Sequence, residues 1–69
     1  MFIKLTNAAP AFRGKKIVIN KSSIVTFHRG EAVRDDFIEE VTYVFVPPHG
    51  TWEVEETVEE ILELIDTYH

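Results

Sequence analysis

Residues 41–54, VTYVFVPPHGTWEV, decide the predicted fold because they contain the strongest strand signal of the chain, followed by a turn. The first six residues are all β-branched or aromatic, which is typical of a strand. Two prolines then interrupt the sheet because proline donates no amide hydrogen, and a glycine supplies the flexibility of a turn. We therefore predict a hairpin with a strand over 41–46 and a returning strand over 51–54.

The first strand of this hairpin is apolar on both faces. Val41, Tyr43 and Phe45 share one face, and Val44 and Val46 share the other. A half-exposed strand would alternate between apolar and polar residues, so this strand is expected to be covered on both sides. One short helix covers only one face of a sheet. The second face must be closed by barrel-like curling of the sheet or by a second subunit, and the sequence leaves both open.

Shorter strands are predicted upstream, where apolar and polar residues alternate between turn-forming segments. Pro10 and Gly14 mark a loop, and the run Asn20-Lys21-Ser22-Ser23 marks a turn. An irregular acidic loop then precedes the main hairpin. The predicted strands span 2–6, 16–20 and 24–28, and the acidic loop spans 30–40.

One amphipathic helix is predicted at the end of the chain. Thr57 and Glu60 have the spacing of a capping box, in which each side chain bonds the backbone amide of the other residue. Apolar residues then recur at helical spacing: Val58, Ile61, Leu62, Leu64, Ile65 and Tyr68. The other face is acidic and contains no Lys or Arg: Glu56, Glu59, Glu60, Glu63 and Asp66.

These elements predict a single α+β domain over 1–69, a small antiparallel sheet of about five strands packed by the helix. With 69 residues and no cysteine, the chain has little core and no disulfide to support it. Self-association is a common remedy in domains of this size, so we predict a homo-oligomer.

Charge is divided between the two halves of the chain. Residues 1–34 contain all seven basic residues and one acid, whereas residues 35–69 contain eleven acids and no Lys or Arg. The net charge of −5 therefore describes neither half. This asymmetry predicts either halves that neutralise each other on folding or two surfaces that select charged partners.

Several short stretches occur in an order found in a known family. They are 3–6 (IKLT), 14–20 (GKKIVIN), Ile24 and 54–61 (VEETVEEI). Together they resemble the FlbD-like group of flagellar and swarming-motility accessory proteins, which has phage and prophage relatives and reads V-x-E-S-x-E-E-V near its carboxyl end. None of the matching positions is catalytic. The resemblance implies a fold, and for the flagellar members it implies a motility role.

The acidic residues form the candidate partner-binding surface. We predict that it binds a protein with a basic surface, as an inhibitor or as a mimic of a phosphate backbone. Phe37 and Ile38 either anchor that partner or pack the loop onto the core. The loop contributes Asp35, Asp36, Phe37, Ile38, Glu39 and Glu40, and the helix contributes Glu56, Glu59, Glu60, Glu63 and Asp66.

A basic patch near the second strand offers a different class of function. With the neighbouring Phe12 and Phe27, it resembles surfaces that bind single-stranded nucleic acid. The net charge of −5 argues against nucleic acid as the partner, and lysines on edge strands also serve to discourage aggregation. The patch consists of Arg13, Lys15, Lys16, Lys21 and Arg29.

The sequence carries no enzyme or cofactor signal. His28, Asp35, Asp36 and His49 have no metal-ligand spacing, and the chain contains neither a phosphate-binding glycine loop nor a cysteine nucleophile. No apolar run approaches the roughly 20 residues that span a bilayer, and no signal peptide is recognisable. We predict a cytoplasmic, non-enzymatic interaction module encoded by a phage or mobile element. A motility accessory protein and a nucleic-acid binder are the alternatives.

Overall fold

The computed structural model describes residues 1–67, which form five strands and one helix. The prediction of an α+β fold with a carboxy-terminal helix is therefore confirmed, whereas Tyr68 lies outside the described residues. Two short 3₁₀ turns, at Pro10–Phe12 and Lys21–Ser23, flank the second strand. The elements are β1 Phe2–Thr6, β2 Lys16–Asn20, β3 Thr26–Val33, β4 Ile38–Val46, β5 Gly50–Val54 and α1 Val58–Thr67.

The strands form two antiparallel sheets, β1–β2 and β3–β4–β5. An isolated bridge between Asn7 and Val54 connects them, and the amide of Ala8 donates to the carbonyl of Glu53 at 2.9 Å. The strands therefore follow one another in the order β2–β1–β5–β4–β3, with β2 and β3 at the outer edges. Within residues 1–67 the strands do not close into a barrel.

The main core lies between the two sheets and the helix. β1 contributes Ile3 and Leu5, because alternation points these two side chains inward. The helix contributes Ile61, which is completely buried. The buried members of this cluster are Ile3, Leu5, Ile19, Val44, Val46, Val54 and Ile61.

β4 is covered on both faces, as its apolar composition predicts. Val44 belongs to the main core, whereas Val41 packs on the opposite side with Ala8 and Ala32. The covering segment is the one that follows β1, and Ala8 is fully buried within it. Neither barrel closure nor a second subunit is therefore needed at this position. Phe45, farther along the strand, remains 41% exposed.

The prediction of an irregular loop over 30–40 is wrong. β3 continues to Val33 and β4 begins at Ile38, so only 34–37 form a turn, closed by a 2.8 Å hydrogen bond from the Arg34 amide to the Phe37 carbonyl. The third strand accordingly spans Thr26–Val33 and not 24–28. The charged residues of these strands hid the alternation that identifies a strand.

Gly30, which reads as a strand breaker, lies within β3 for a steric reason. A Cβ atom at this position would lie 2.7 Å from Cε2 of Tyr43, on the neighbouring strand. The glycine therefore leaves room for the aromatic ring, which also approaches His28 with a centroid distance of 5.5 Å. The strand tolerates a glycine because a cross-strand aromatic side chain covers it.

Candidate functional site

The end of the β3–β4 hairpin exposes three large apolar side chains close together. Val33 is 81% exposed, Phe37 53% and Ile38 62%. Val33 and Ile38 are cross-strand partners, so their side chains lie side by side on one face. Phe37 and Ile38 therefore do not pack onto the core, which was one of their two predicted roles. We call residues 33–38 the hairpin tip.

Acidic side chains lie within the hairpin tip and on the strands next to it. Asp35 and Asp36 line an open cleft of about 340 Å³ together with Val33, Phe37, Pro10 and two arginines. These arginines are Arg13, which is paired with Glu39, and Arg34, which is paired with Glu39 and Glu53. On the strands next to the tip, Glu31 and Glu40 are directly opposed and both are exposed. Neither these two glutamates nor the two aspartates form an ion pair with a residue of the described part of the chain. Like charges directly opposed across a sheet destabilise it, so this pair does not serve folding.

Val33 and Glu31 are the members of this surface that sequence reasoning missed. The reason is that the sequence of residues 30–40 predicts a loop, and residues of a loop have no cross-strand neighbours. Asp35 and Asp36 offered a usable signal, because adjacent aspartates favour a turn and therefore a hairpin centred on them.

Glu39 differs from the other acids of this segment because it has a structural role. Arg13 binds its carboxylate through two hydrogen bonds of 2.6 Å, and Nε of Arg34 donates a third at 3.0 Å. Arg34 also binds Glu53 at 3.0 Å and the carbonyl of Ala8 at 3.2 Å. These contacts hold the segment after β1 against β4. Glu39 is therefore not available to a partner.

The same contacts shift the protonation of this cluster. The Arg13 guanidinium, followed by that of Arg34, lowers the pKa of Glu39 from 4.5 to about 2. In return, Glu53 and Glu39 raise the pKa of Arg34, and Glu39 raises that of Arg13. The ionised carboxylate is thus the form that the fold stabilises.

This shift predicts a pH-dependent contribution to stability. Because the folded-state pKa of Glu39 lies below its unfolded value, its contribution is complete above pH 4.5 and is lost as the pH falls toward 2. Glu39→Gln should therefore lower the melting temperature near neutral pH, and this difference from the native protein should vanish near pH 2. Glu40→Gln, on the opposite face, is the matched control and should show no such pH-dependent loss. A Glu39→Gln difference that is constant with pH would contradict the prediction.

The helix acids fall into two groups. Glu56 accepts hydrogen bonds from the amide and the hydroxyl of Thr6, both at 2.9 Å. Glu60 completes the predicted capping box. Its carboxylate accepts a hydrogen bond from the Thr57 amide at 2.8 Å, and Thr57 Oγ1 accepts one from the Glu60 amide at 3.1 Å. These bonds, led by the backbone amide of Thr57, hold the pKa of Glu60 below its ordinary value.

The remaining helix acids are exposed and have no ion-pair partner among residues 1–67. They are Glu59, Glu63 and Asp66. Glu63 lines a shallow cleft of about 270 Å³ with Glu56, Glu60, Leu64 and Thr67, so part of the predicted acidic helix surface is concave.

The five residues of the predicted basic patch are largely occupied within the fold. Lys16 donates to Thr6 Oγ1 at 2.7 Å, and Lys21 donates to the carbonyl of Ile65 at 3.2 Å. Arg29 donates to Thr42 Oγ1 at 3.0 Å, and Arg13 binds Glu39 as described. Within residues 1–67, Lys15 is the member without such a side-chain contact. The structure therefore distributes these bases among separate contacts.

The residues considered for a metal site are also separated. His28 lies beside Tyr43, whereas His49 lines a groove with Trp52. Among the residues that the structure describes, no group of three potential ligands is arranged to hold a metal ion. Within the same range, no helix is both long and apolar enough to span a membrane.

Comparisons with protein-family models, with curated proteins and with solved structures found no match. The FlbD-like resemblance therefore stays a prediction. Most of the residues that carry it lie in β1, in and just before β2, and at the start of α1, whereas Val54 ends β5 and Ile24 lies between the second 3₁₀ turn and β3.

Proposed function

We propose that this protein is a non-enzymatic interaction module that binds a partner with a basic surface. The observation that carries the proposal is the hairpin tip, where Val33, Phe37 and Ile38 are exposed. The acids beside them form no ion pair within residues 1–67, and the two arginines of the cleft, Arg13 and Arg34, are already paired with Glu39 and Glu53. Apolar anchors within a charged rim are typical of protein–protein interfaces. Basic side chains of the partner would neutralise the rim while its apolar surface covers the anchors.

The opposed pair Glu31 and Glu40 supports a cationic partner in particular. In the free protein the two carboxylates repel each other, so a Lys or Arg placed between them relieves an unfavourable interaction and gains two favourable ones. The helix acids Glu59, Glu63 and Asp66 extend the negative potential and would accelerate association with a basic partner.

The finer part of the proposal concerns biological context. We propose a cytoplasmic accessory protein of a phage or another mobile element, which occupies a basic host surface in place of nucleic acid. The neighbouring genes test this part directly. A phage gene cassette supports it, whereas a flagellar operon would favour the motility role implied by the FlbD-like resemblance.

The interaction itself is tested by quantitative affinity capture from a lysate of the source cell. The double variant Phe37→Ser/Ile38→Ser should reduce capture of a specific protein by about tenfold or more, because anchors of this kind dominate binding energy. Val25→Ser is the matched control, since Val25 is 60% exposed but lies outside the hairpin tip. Capture should also weaken as salt screens the acidic rim.

Three results would contradict the proposal. The first is a protein captured equally by the native chain and by the hairpin-tip variant. The second is capture that depends on Val25. The third is binding of a fluorescent single-stranded oligonucleotide at low salt that is lost on Lys15→Glu/Lys16→Glu, which would support the nucleic-acid alternative.

A further inference from the structure

Within residues 1–67, β2 is an edge strand that pairs with β1 alone, and its outward backbone groups have no strand partner. The amide of Asn7 donates to the carbonyl of Lys15, and the amide of Lys21 donates to that of Met1. The backbone amides and carbonyls of the odd-numbered residues of β2 therefore point toward β1, because hydrogen-bonded residues alternate along an antiparallel pair. The amides and carbonyls of Lys16, Val18 and Asn20 point the other way. No other strand within residues 1–67 pairs with them.

An apolar groove runs beside this edge. Its volume is about 360 Å³, and β2 contributes four consecutive residues to its lining, 17–20. Val46 and Trp52 complete its apolar lining, and Ser23 and His49 are its other members. On the outer face of β2, Val18 is 60% exposed and lies opposite Lys4 of β1. The edge therefore combines free backbone groups with an apolar groove on one side and one exposed apolar side chain, Val18, on the other, which is the arrangement of a strand-addition site.

We propose that β2 pairs with β2 of a second copy, antiparallel and about a twofold axis through Val18. This register places Val18 opposite Val18 and Lys16 opposite Asn20 on the outer face. On the inner face, Ile17 of one copy lies opposite Ile19 of the other. All directly opposed side chains are therefore apolar–apolar or cation–amide, and no like charges face each other.

The register follows from the strand itself. In the pair, each residue whose backbone groups point outward must lie opposite another such residue. Shifting one strand by a single position along the other breaks this match and is therefore excluded. Of the remaining registers, only the one centred on Val18 pairs all five residues of Lys16–Asn20. A register centred on Lys16 would oppose two ammonium groups. Lys21 leaves the strand and donates to Ile65 of α1, so it does not extend the pairing.

The strand is thus self-complementary in hydrogen bonding, apolarity and charge, which identifies a second copy as its occupant. Pairing would remove a free edge that otherwise favours aggregation. It would also add apolar burial to a chain of only 69 residues. This inference is independent of the proposed partner, since the hairpin tip lies on β3 and β4.

The first test is the molar mass of the purified chain by light scattering. The native protein is expected at twice its chain mass of 8.0 kDa, with dissociation on dilution. Val18→Lys opposes two lysines on the axis, and Val18→Pro removes an outward amide without removing a bond to β1. Both variants should remain folded by circular dichroism and have the mass of one chain. Val25→Lys, equally exposed at 60%, should remain dimeric.

The second test fixes the register by cross-linking, because the chain contains no native cysteine. Opposed Cβ atoms of an antiparallel pair lie about 4.5–5.5 Å apart, with the longer distance in hydrogen-bonded pairs such as Val18–Val18, whereas a disulfide needs about 3.5–4.5 Å. A short bis-maleimide reagent bridges the longer distance. Val18→Cys should therefore form a covalent dimer with this reagent, whereas Val25→Cys should not. Three results would each overturn the inference. The native protein could be monomeric at the highest concentration attainable, or a folded Val18→Lys variant could still be dimeric. The third result is a Val18→Cys variant that cross-links no faster than Val25→Cys. If the hairpin tip captures no partner, the molar mass and the cross-linking of the chain are unaffected. The two proposals can therefore be contradicted independently of each other.

Discussion

Replacing Ile61 with alanine is expected to lower the free energy of unfolding by about 2–5 kcal/mol, the usual cost of truncating a fully buried aliphatic side chain. Ile61 is 0% exposed and is the buried residue of α1. It joins the helix to the cluster that contains Leu5 and Val54. A domain of this length has a total stability of roughly 3–10 kcal/mol, so the variant should be marginally folded or unfolded.

The matched control is Leu62→Ala, one position along the same helix. Leu62 is 48% exposed, so its truncation removes much less buried surface and should cost about 1 kcal/mol or less. Alanine is the better helix former at both positions, and helix propensity therefore cannot explain a difference between them. Urea unfolding followed by fluorescence of Trp52, the single tryptophan, provides the measurement. Equal losses for the two variants would show that Ile61 does not anchor the helix.

The elements that the sequence predicted well are those defined by local signals. β1 and β2 have the predicted bounds, because their alternation depends only on neighbouring residues. The capping box at Thr57 and Glu60 forms as predicted for the same reason, since both partners lie within one helical turn. Local chemistry is sufficient where the interacting groups are close in the chain.

The β3–β4 hairpin was missed because its determinants are distant in sequence. Gly30 is acceptable in a strand only because Tyr43 covers it, and the second face of β4 is covered by Ala8. Neither contact can be inferred from composition or periodicity. Val33 belongs to the candidate site because it lies opposite Ile38 in this hairpin. The acids, Phe37 and Ile38 could therefore be predicted from the sequence, whereas Val33 could not.

The charge asymmetry is resolved in the structure into two parts. Every ion pair within residues 1–67 joins a base of the first half to an acid of the second: Arg13 to Glu39, Arg34 to Glu39, and Arg34 to Glu53. Lys21 supplies the cation that the last turn of α1 lacks. Neutralisation within the fold therefore accounts for some of the acids. The unpaired remainder is concentrated around the hairpin tip and along the helix, which is the distribution that motivates a basic partner.

Thr42→Val is expected to lower the free energy of unfolding by about 1–3 kcal/mol although it preserves the shape of the side chain. Thr42 is completely buried. Its hydroxyl donates to the carbonyl of Glu56 and accepts from Nη1 of Arg29. Valine leaves the carbonyl with only the longer contact from Arg29, at 3.5 Å, and leaves the guanidinium without this acceptor. Both losses occur where β4 meets the segment that leads into α1.

Thr51→Val is the control for this substitution, because Thr51 is exposed on the neighbouring strand and the same chemical change should there be close to neutral. Arg29→Met in both backgrounds completes a double-mutant cycle, and a coupling of about 0.5–3 kcal/mol is expected if the two side chains act together. Glu56 holds Thr6 through its side chain and Thr42 through its carbonyl, so Thr42→Val should also loosen the start of the helix. Faster hydrogen exchange at the amide of Ile61, which donates to Thr57, would report that loosening. If Thr42→Val costs no more than Thr51→Val and Ile61 exchanges at its native rate, the hydroxyl contributes nothing to this junction, and apolar packing alone must position the helix.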